Sequence, residues 1–343
     1  MEALAESMAK MSKAHTQFII VSSGAVGLGM GKLGINQRPK DLSLLRACAS
    51  VGQCLLMNAW SQSLEKKGLI ASQVLLTRED FDNRNRTKKV QETLNSLADN
   101  GVVPIINEND SISDEEIKFG DNDVLSALLA SLGKADFLVI LSTAMGLMTN
   151  PSSGKLIPFV AEITPAIESM AKGTSSETAV GGMVTKIEAA KIATKSGCAT
   201  FIGSGENPAQ LSDIISGNKI LGTFFAPTGL DLSERKKWLA FFPAPAGSIS
   251  VDSGAVDAIL NKGSSLLAIG ITHVSGTFEK ADVVEIKDPL GITVARGITR
   301  FSKVELLKLK GIPNEKILSM FPGKKKPEVI HRDHLAPLEA EKN

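Results

Sequence analysis

Cysteine is scarce in this 343-residue chain, which holds only Cys48, Cys54 and Cys198. Three thiols so far apart build no disulfide framework, so reduced thiols and a cytoplasmic setting are expected. An excess of charge of one sign is missing too: 38 Lys plus Arg stand against 37 Asp plus Glu, a formal net charge of +1. A chain so close to neutral lacks the basic field of a dedicated nucleic-acid binder. No apolar run approaches the roughly 20 residues that a membrane span requires. The opening MEALAESMAKMSKAHTQ carries Glu2 and Glu6 and no apolar signal core, which reads against secretion and membrane insertion. Aromatic residues are thin at 4%, but 43% hydrophobic and 22% charged content is that of a globular protein. At roughly 150 residues per domain, the length suggests about two domains.

Periodicity then gives the organisation. Met1, Leu4, Met8 and Met11 recur at three- and four-residue steps and predict an opening helix. It runs into the apolar QFIIV (Gln17 to Val21), which ends at Ser22-Ser23-Gly24. Similar short runs follow: SQVLLT from Ser72, VVPIIN from Val102, FLVILS from Phe137 and ATFIG from Ala199. Helical patterns such as Asp123 to Leu132 and Met183 to Lys195 lie between them. Strands alternating with helices predict an α/β fold, an open and mostly parallel sheet sandwiched by helices. Ligands then bind at the carboxyl ends of the strands, where this chain gathers Ser, Gly, Asn and Asp. Composition changes after about Leu230: residues 233–247 read as a linker, 248–335 as a small, mainly β domain, and 336–343 as a polar tail. The first domain is then 1–232.

Three motifs fail on inspection. Gly29-Met30-Gly31-Lys32-Leu33-Gly34 matches G-x-G-x-x-G, but it starts too far past the strand for a dinucleotide turn. A loop over the sheet edge is the expectation there. His331-Arg332-Asp333 imitates a protein-kinase catalytic loop, yet Leu338 stands where the metal-binding Asn belongs. The histidines and cysteines lack metal-ligand spacing, so no metal-ligating side chains are assigned; Cys48 and Cys54 are expected to pack on a helix face.

Three clusters carry more. At Ser22-Ser23-Gly24-Ala25, backbone N–H groups and a hydroxyl suit an anionic group, or Ser23 simply caps a helix. Asn107-Glu108-Asn109-Asp110 and Gly120-Asp121-Asn122-Asp123 place four carboxylates and three amides within 17 positions. That density suits a cationic amine, a metal ion or a lysine, although Asp123 also fits a helix cap. Gly181-Gly182-Met183-Val184-Thr185-Lys186 opens a helix with two glycines, leaving backbone N–H groups free to approach phosphate. Lys186 sits in the first turn, against the helix dipole, and a phosphate partner would explain it. Together the clusters point to phosphoryl transfer without a Walker motif.

IIVSSGAV, VPIINENDSI, IKFGDNDVLSALLA and GGMVTKIEAA, in this order and spacing, closely resemble the glutamate 5-kinases of the amino acid kinase family. GSSLLAIGITHVSGTFEKADVVEI and ARGITRF resemble the PUA domain that many of them carry, so the 248–335 segment is PUA-like. The resemblance spans about residues 15 to 335 and implies the amino acid kinase fold. It implies ATP-dependent phosphorylation of the L-glutamate γ-carboxylate to L-glutamyl 5-phosphate, the first step of proline biosynthesis. By position it implies that Ser23, Asp110 and Asn122 bind glutamate and that Asp123 organises the catalytic lysines. Val180, Gly181, Gly182, Met183, Val184, Thr185 and Lys186, with Ser142 and Thr143, would line the ATP site. Lys186 would stabilise the transferring phosphoryl group, and Mg²⁺ would accompany ATP. A dimer or tetramer and feedback inhibition by proline are further expectations.

The chain departs from the resemblance in two places. Family members begin with a strand carrying Lys-x-Gly, whose lysine touches the phosphoryl group; this chain opens in the helix that follows, so a shortened and poorly active enzyme is expected. After FLVIL, Ser142-Thr143-Ala144-Met145-Gly146-Leu147-Met148 lacks the family's aspartate and tyrosine, and Asn150-Pro151 falls one residue short of its Asp-Pro turn. Nucleotide affinity or choice is expected to differ accordingly. Sister kinases acting on acetylglutamate, aspartate, carbamate or uridylate are the nearest rivals, and the NEND–GDND pair argues against them. A rival of another class is a regulatory protein binding RNA through the PUA-like domain. From Gly247 onward, however, 14 Lys plus Arg face 12 Asp plus Glu, a balance of +2, which is a weak footprint for RNA.

Overall fold

The computed structural model describes residues 1–13, 16–113, 122–150, 154–171, 182–206, 210–215, 221–228, 239, 245–313, 316–317 and 328–338. The chain divides into two compact units, Met1–Leu230 and Asp231–Asn343. Most of the expected 233–247 linker lies outside the described residues.

The first unit opens with helix α1 (Glu2–Ser12), whose apolar stripe buries Met8 while Leu4 and Met11 lean on the same core. Strand β1 is only Ile20–Val21, shorter than the apolar run around it. Helices α2 (Ala25–Lys32) and α3 (Leu42–Glu65) follow, then β2 (Ile70–Leu76), α4 (Glu79–Asp82), α5 (Arg84–Asp99) and β3 (Val102–Glu108). Next come α6 (Asn122–Leu132), β4 (Phe137–Ser142), β5 (Phe159–Val160), α7 (Pro165–Ala171), α8 (Met183–Lys195), β6 (Ala199–Ser204), α9 (Leu211–Ile215) and β7 (Gly222–Phe225).

The strands form two hydrogen-bonded sets. In the order β1-β3-β2 both pairings are parallel. In the order β4-β6-β7-β5, β4 runs parallel to β6 and β5 to β7, while β6 and β7 are antiparallel. Strand β3 is buried from Val103 to Asn107. A parallel strand covered on both faces needs such an unbroken apolar run, because no side of it meets water. Asn107, 3% exposed, is the polar exception at its carboxyl end.

The segment 29–34 is not the loop expected from its glycines: 25–32 is helix α2. Its glycines serve close packing. A methyl group on Gly29 would collide with the Cys48 carbonyl of α3, and one on Gly52 of α3 would collide with the Ala25 carbonyl. The two helices therefore approach backbone to backbone, which only glycine allows at the crossing. Of the two cysteines expected on a helix face, Cys48 is buried in α3 and Cys54 is exposed on it. By length and composition α3 is apolar enough to cross a membrane. Within this unit it instead packs on α2 and β2 and buries Leu56, Trp60 and Leu64.

The second unit holds β8 (Gly247–Val251), β9 (Ile271–Gly276), β10 (Val283–Lys287), β11 (Thr293–Ile298) and β12 (Leu335–Pro337). Their order is β12-β11-β10-β8-β9, parallel only between β8 and β10. The last strand reaches Pro337, two residues past the boundary expected at 335. Asp252 caps the helix Ser253–Leu260 by accepting from Ala255 N at 2.7 Å. Ser302 and Glu305 form a reciprocal capping box at the start of Lys303–Leu309. His331 to Asp333 lies at a 3₁₀ turn of this unit.

Candidate functional site

Strands β1, β3 and β4 release the chain at their carboxyl ends into Ser22-Ser23-Gly24, Glu108-Asn109-Asp110 and Thr143-Ala144. The first of these turns depends on Gly24, whose φ of 102° lies in the left-handed region. Gly24 is also the N-cap of α2, and no side chain caps that helix. Ser23 is therefore not the cap, and its side chain is exposed one residue ahead of it. Ser22 turns inward: its Oγ accepts from Trp60 Nε1 at 2.9 Å, and its backbone N donates to the Ile106 carbonyl at 2.9 Å.

Asn122 and Asp123 form the first turn of α6, so Asp123 lies inside the helix rather than capping it. A carboxylate there is favoured by the positive end of the helix dipole. Asn122 Nδ2 donates to the Ser22 carbonyl at 3.2 Å and to Asn107 Oδ1 at 3.1 Å. That pair of bonds joins the ends of β1, β3 and α6. Asn107 Nδ2 in turn donates to Gln53 Oε1 on α3 at 2.9 Å. The turn after Asn109 is tied back by Asn109 N donating to the Leu76 carbonyl, 2.8 Å, and by Arg46 Nη2 donating to the Ser113 carbonyl, 3.0 Å. Asp110 stands in this turn, half-buried.

Helix α8 starts beside α6, with Gly182 as an N-cap that no side chain supports. Among the described residues, a methyl on Gly182 would meet nothing within 4 Å. Lys186, 7% exposed, reaches Asp123: Nζ lies 2.8 Å from Oδ2. Thr185 Oγ1 donates to the Gly182 carbonyl at 2.9 Å and lies 3.4 Å from the same Asp123 oxygen. An ammonium and a carboxylate so poor in water attract strongly, and each offsets the other's desolvation. The lysine that runs against the α8 dipole thus has a carboxylate from the neighbouring helix to hold it. Met183 is buried, and Val184 is 47% exposed.

At the end of β4, Ser142 Oγ accepts from Ala144 N at 2.9 Å, and its carbonyl accepts from Gly205 N at 2.8 Å. Thr143 is exposed next to it. Ala144 packs against the core cluster that contains Met183 and Ile187, so the loop after β4 and the first turn of α8 share a core. Val180, Gly181 and Asp121 lie outside the described residues.

The structure thus brings Asn122, Asp123, Thr185, Lys186 and Gly182 to one end of the strands, with the Ser22 carbonyl bound to Asn122 and Ser23 next to it in the chain. Asn107 sits at the centre of the hydrogen bonds. Gln53 and Trp60 are additions that sequence patterning misses, being single polar-tipped residues in an apolar helix. The amide of Gln53, set between Gly52 and the apolar Cys54-Leu55-Leu56 of α3, is the one sign of them.

The amino acid kinase family model matches residues 1–204, and the PUA domain model matches residues 247–319. A glutamate 5-kinase of Moorella thermoacetica is 42% identical over 342 residues, covering 98% of this chain and 90% of that one. A glutamate 5-kinase of Desulfitobacterium hafniense is 42% identical over 92% of this chain and 86% of its own length. That of Syntrophotalea carbinolica is 44% identical over 93% and 86%.

Proposed function

The chain belongs to the amino acid kinase family, and from that premise we propose that it transfers the γ-phosphoryl group of ATP to the γ-carboxylate of L-glutamate. The product is L-glutamyl 5-phosphate, the first intermediate on the way to proline. The single observation that best supports the residue assignment is the Lys186–Asp123 pair at 2.8 Å, set where two helix N-termini meet beside Asn122.

The nucleophile needs no general base, because a carboxylate with an ordinary pKa near 4.3 is already ionised at neutral pH. A bond forms from its oxygen to the γ-phosphorus as the bond from that phosphorus to the ADP oxygen breaks. The protein's task is to align the two oxygens and to balance charge on the group in flight. Lys186 supplies positive charge to that group, and backbone N–H groups at Gly182 and Met183 receive phosphate oxygens at the head of α8. Asp123 acts as a positioning residue, aiming the lysine. Val184, Thr185 and, from the other side, Ser142 and Thr143 complete the nucleotide side, together with Val180 and Gly181. Ser23, Asp110 and Asn122 hold glutamate: the Ser23 hydroxyl and the backbone N–H of Asn122, in the first turn of α6, take carboxylate oxygens, and Asp110 takes the ammonium group.

A divalent cation is expected with the nucleotide, and Mg²⁺ fits these residues. Among the described residues no three carboxylates, thiols or imidazoles gather at one point. Mg²⁺ is suited to that, since it keeps its waters and takes phosphate oxygens with few protein ligands. Bound with the triphosphate, it would supply positive charge against the phosphates. The reaction belongs in the cytoplasm, where ATP is held. Exposed Leu28, Leu33 and Leu44 on the α2–α3 hairpin favour self-association as a dimer or tetramer, and proline would compete at the glutamate site.

The test is glutamate-dependent ADP release with the acyl phosphate trapped by hydroxylamine. L-glutamate is expected to give hydroxamate, and aspartate, N-acetylglutamate and carbamate to give little. Hydroxamate from one of those acceptors in preference to glutamate would refute the substrate.

A further inference from the structure

The orientation of three amides in the site is set by two backbone groups. The Ser22 carbonyl can only accept, so the Asn122 atom facing it at 3.2 Å is the NH₂ group. That same nitrogen meets Asn107 at 3.1 Å, and the backbone N–H of Glu108 meets the same Asn107 atom at 2.9 Å. An atom that receives two donors is the Asn107 carbonyl oxygen. Asn107 therefore presents its NH₂ to Gln53, and Gln53 answers with Oε1 at 2.9 Å. The polarity leaves Gln53 Nε2 at the end of the row with two N–H donors. It is buried and has no hydrogen-bond partner among the described residues.

An amide nitrogen out of water and unpaired is costly, on the order of one ordinary hydrogen bond or more. Nothing in the fold requires a donor at this place on α3. The neighbouring Gly52 fixes where it stands, since α3 lies against the Ala25 carbonyl there, one residue past Gly24. Gln53 is thereby held beside the head of α2, with its acceptor engaged and its donor free. The complementary ligand is an acceptor without protons, and a carboxylate is the group that fits.

Position along the row says which carboxylate. Lys186 and Asp123 mark the phosphoryl end, Asn122 immediately precedes Asp123 in sequence, and hydrogen bonds lead from it to Asn107 and then to Gln53. Gln53 is the last member of that hydrogen-bonded row, at the opposite end from Asp123. We propose that Gln53 is a specificity-determining residue whose Nε2 donates to the carboxylate of the amino-acid substrate that is not phosphorylated. This rests on the glutamate kinase reading above, and it explains how an α-amino acid is told from a plain ω-carboxylate: only the former satisfies the buried donor.

The experiment is steady-state kinetics on the full chain, with Gln53→Glu and Gln53→Met as variants. Gln53→Glu keeps an oxygen for Asn107 Nδ2 and replaces the donor by an acceptor of like charge to the substrate. It is expected to raise KM for glutamate about tenfold or more, the worth of one hydrogen bond to a charged group, with KM for ATP within about twofold. Gln53→Met is expected to act in the same direction, and it covers the case in which the buried charge prevents folding. On the wild-type enzyme, 4-aminobutyrate keeps the reacting carboxylate and the amine but lacks the other carboxylate. Its disadvantage against glutamate is expected to shrink about tenfold in either variant.

A Gln53→Glu enzyme with the wild-type KM for glutamate would overturn the proposal, as would equal losses for both substrates or an unchanged preference over 4-aminobutyrate. Those results would make Gln53 a support for Asn107 alone, with water on its donor. A wild-type enzyme that releases no ADP with glutamate would instead remove the kinase reading, and this proposal with it.

Discussion

Replacing Lys186 by methionine separates what the Lys186–Asp123 pair does for the fold from what it does for the chemistry. The side chains are 9% and 15% exposed and 2.8 Å apart. Methionine keeps most of the packing volume but takes the cation away from the Asp123 carboxylate in a site that water barely reaches. Breaking a fully buried pair on one side costs about 3–5 kcal/mol. The residual exposure and the favourable α6 dipole reduce that here to about 2–4 kcal/mol. For a unit of this size that corresponds to a fall of roughly 5–15 °C in Tm. Catalysis should suffer separately, because removing one preorganised charge from a transferring group costs about 10²–10³ in kcat. The double variant Lys186→Met/Asp123→Leu discriminates between the two effects. With the carboxylate removed along with its cation, most of the lost stability should return while kcat stays down. Calorimetry and hydroxamate formation on the same samples read both. Recovery of kcat along with Tm would refute the reasoning, because the pair would then be structural only.

Gly52→Ala forces α3 away from the Ala25 carbonyl; it is expected to cost about 1–3 kcal/mol by overpacking and to raise KM for glutamate, and an unchanged Tm would contradict the backbone contact. Trp60→Phe removes the 2.9 Å bond to Ser22 Oγ and is expected to cost about 1 kcal/mol in denaturant unfolding, with a loss within error arguing against that bond. Thiol labelling should find Cys54 alone reactive in the native state, since Cys48 and Cys198 are buried. Burial pushes the Cys198 thiol up to about 12. A raised thiol pKa means the thiolate is absent below that value, so moving from pH 7 to pH 9 should not recruit Cys198; fast labelling there at pH 9 would refute it.

Much of the first unit was legible because its elements announce themselves locally. Phe137–Ser142 and Met183–Lys195 fall where apolar periodicity places them, each bounded by a turn residue. β1 shrinks to Ile20–Val21 because hydrogen bonding, not hydrophobicity, defines a strand, and only those two residues pair with Ile105 and Ile106. The glycines of α2 read as a loop because helix propensity penalises them, yet packing on Cys48 outweighs that penalty. Asp123 and Lys186 stood out in the sequence as residues at the starts of helices, but their meeting depends on α6 and α8 lying side by side. Gln53 was beyond reach for the same reason: its partner Asn107 is 54 positions away. Patterns of period 2 or 3.6 say which face is buried, and they say nothing of which buried amides touch.

The most direct test is a crystal structure of the enzyme with L-glutamate and a non-hydrolysable ATP analogue. The terminal phosphate should lie against Lys186 Nζ and the backbone at Gly182, with the glutamate γ-carboxylate in line with it and the other carboxylate toward Asn122 and Gln53. A nucleotide whose terminal phosphate binds away from the head of α8, leaving Lys186 on Asp123 alone, would contradict it.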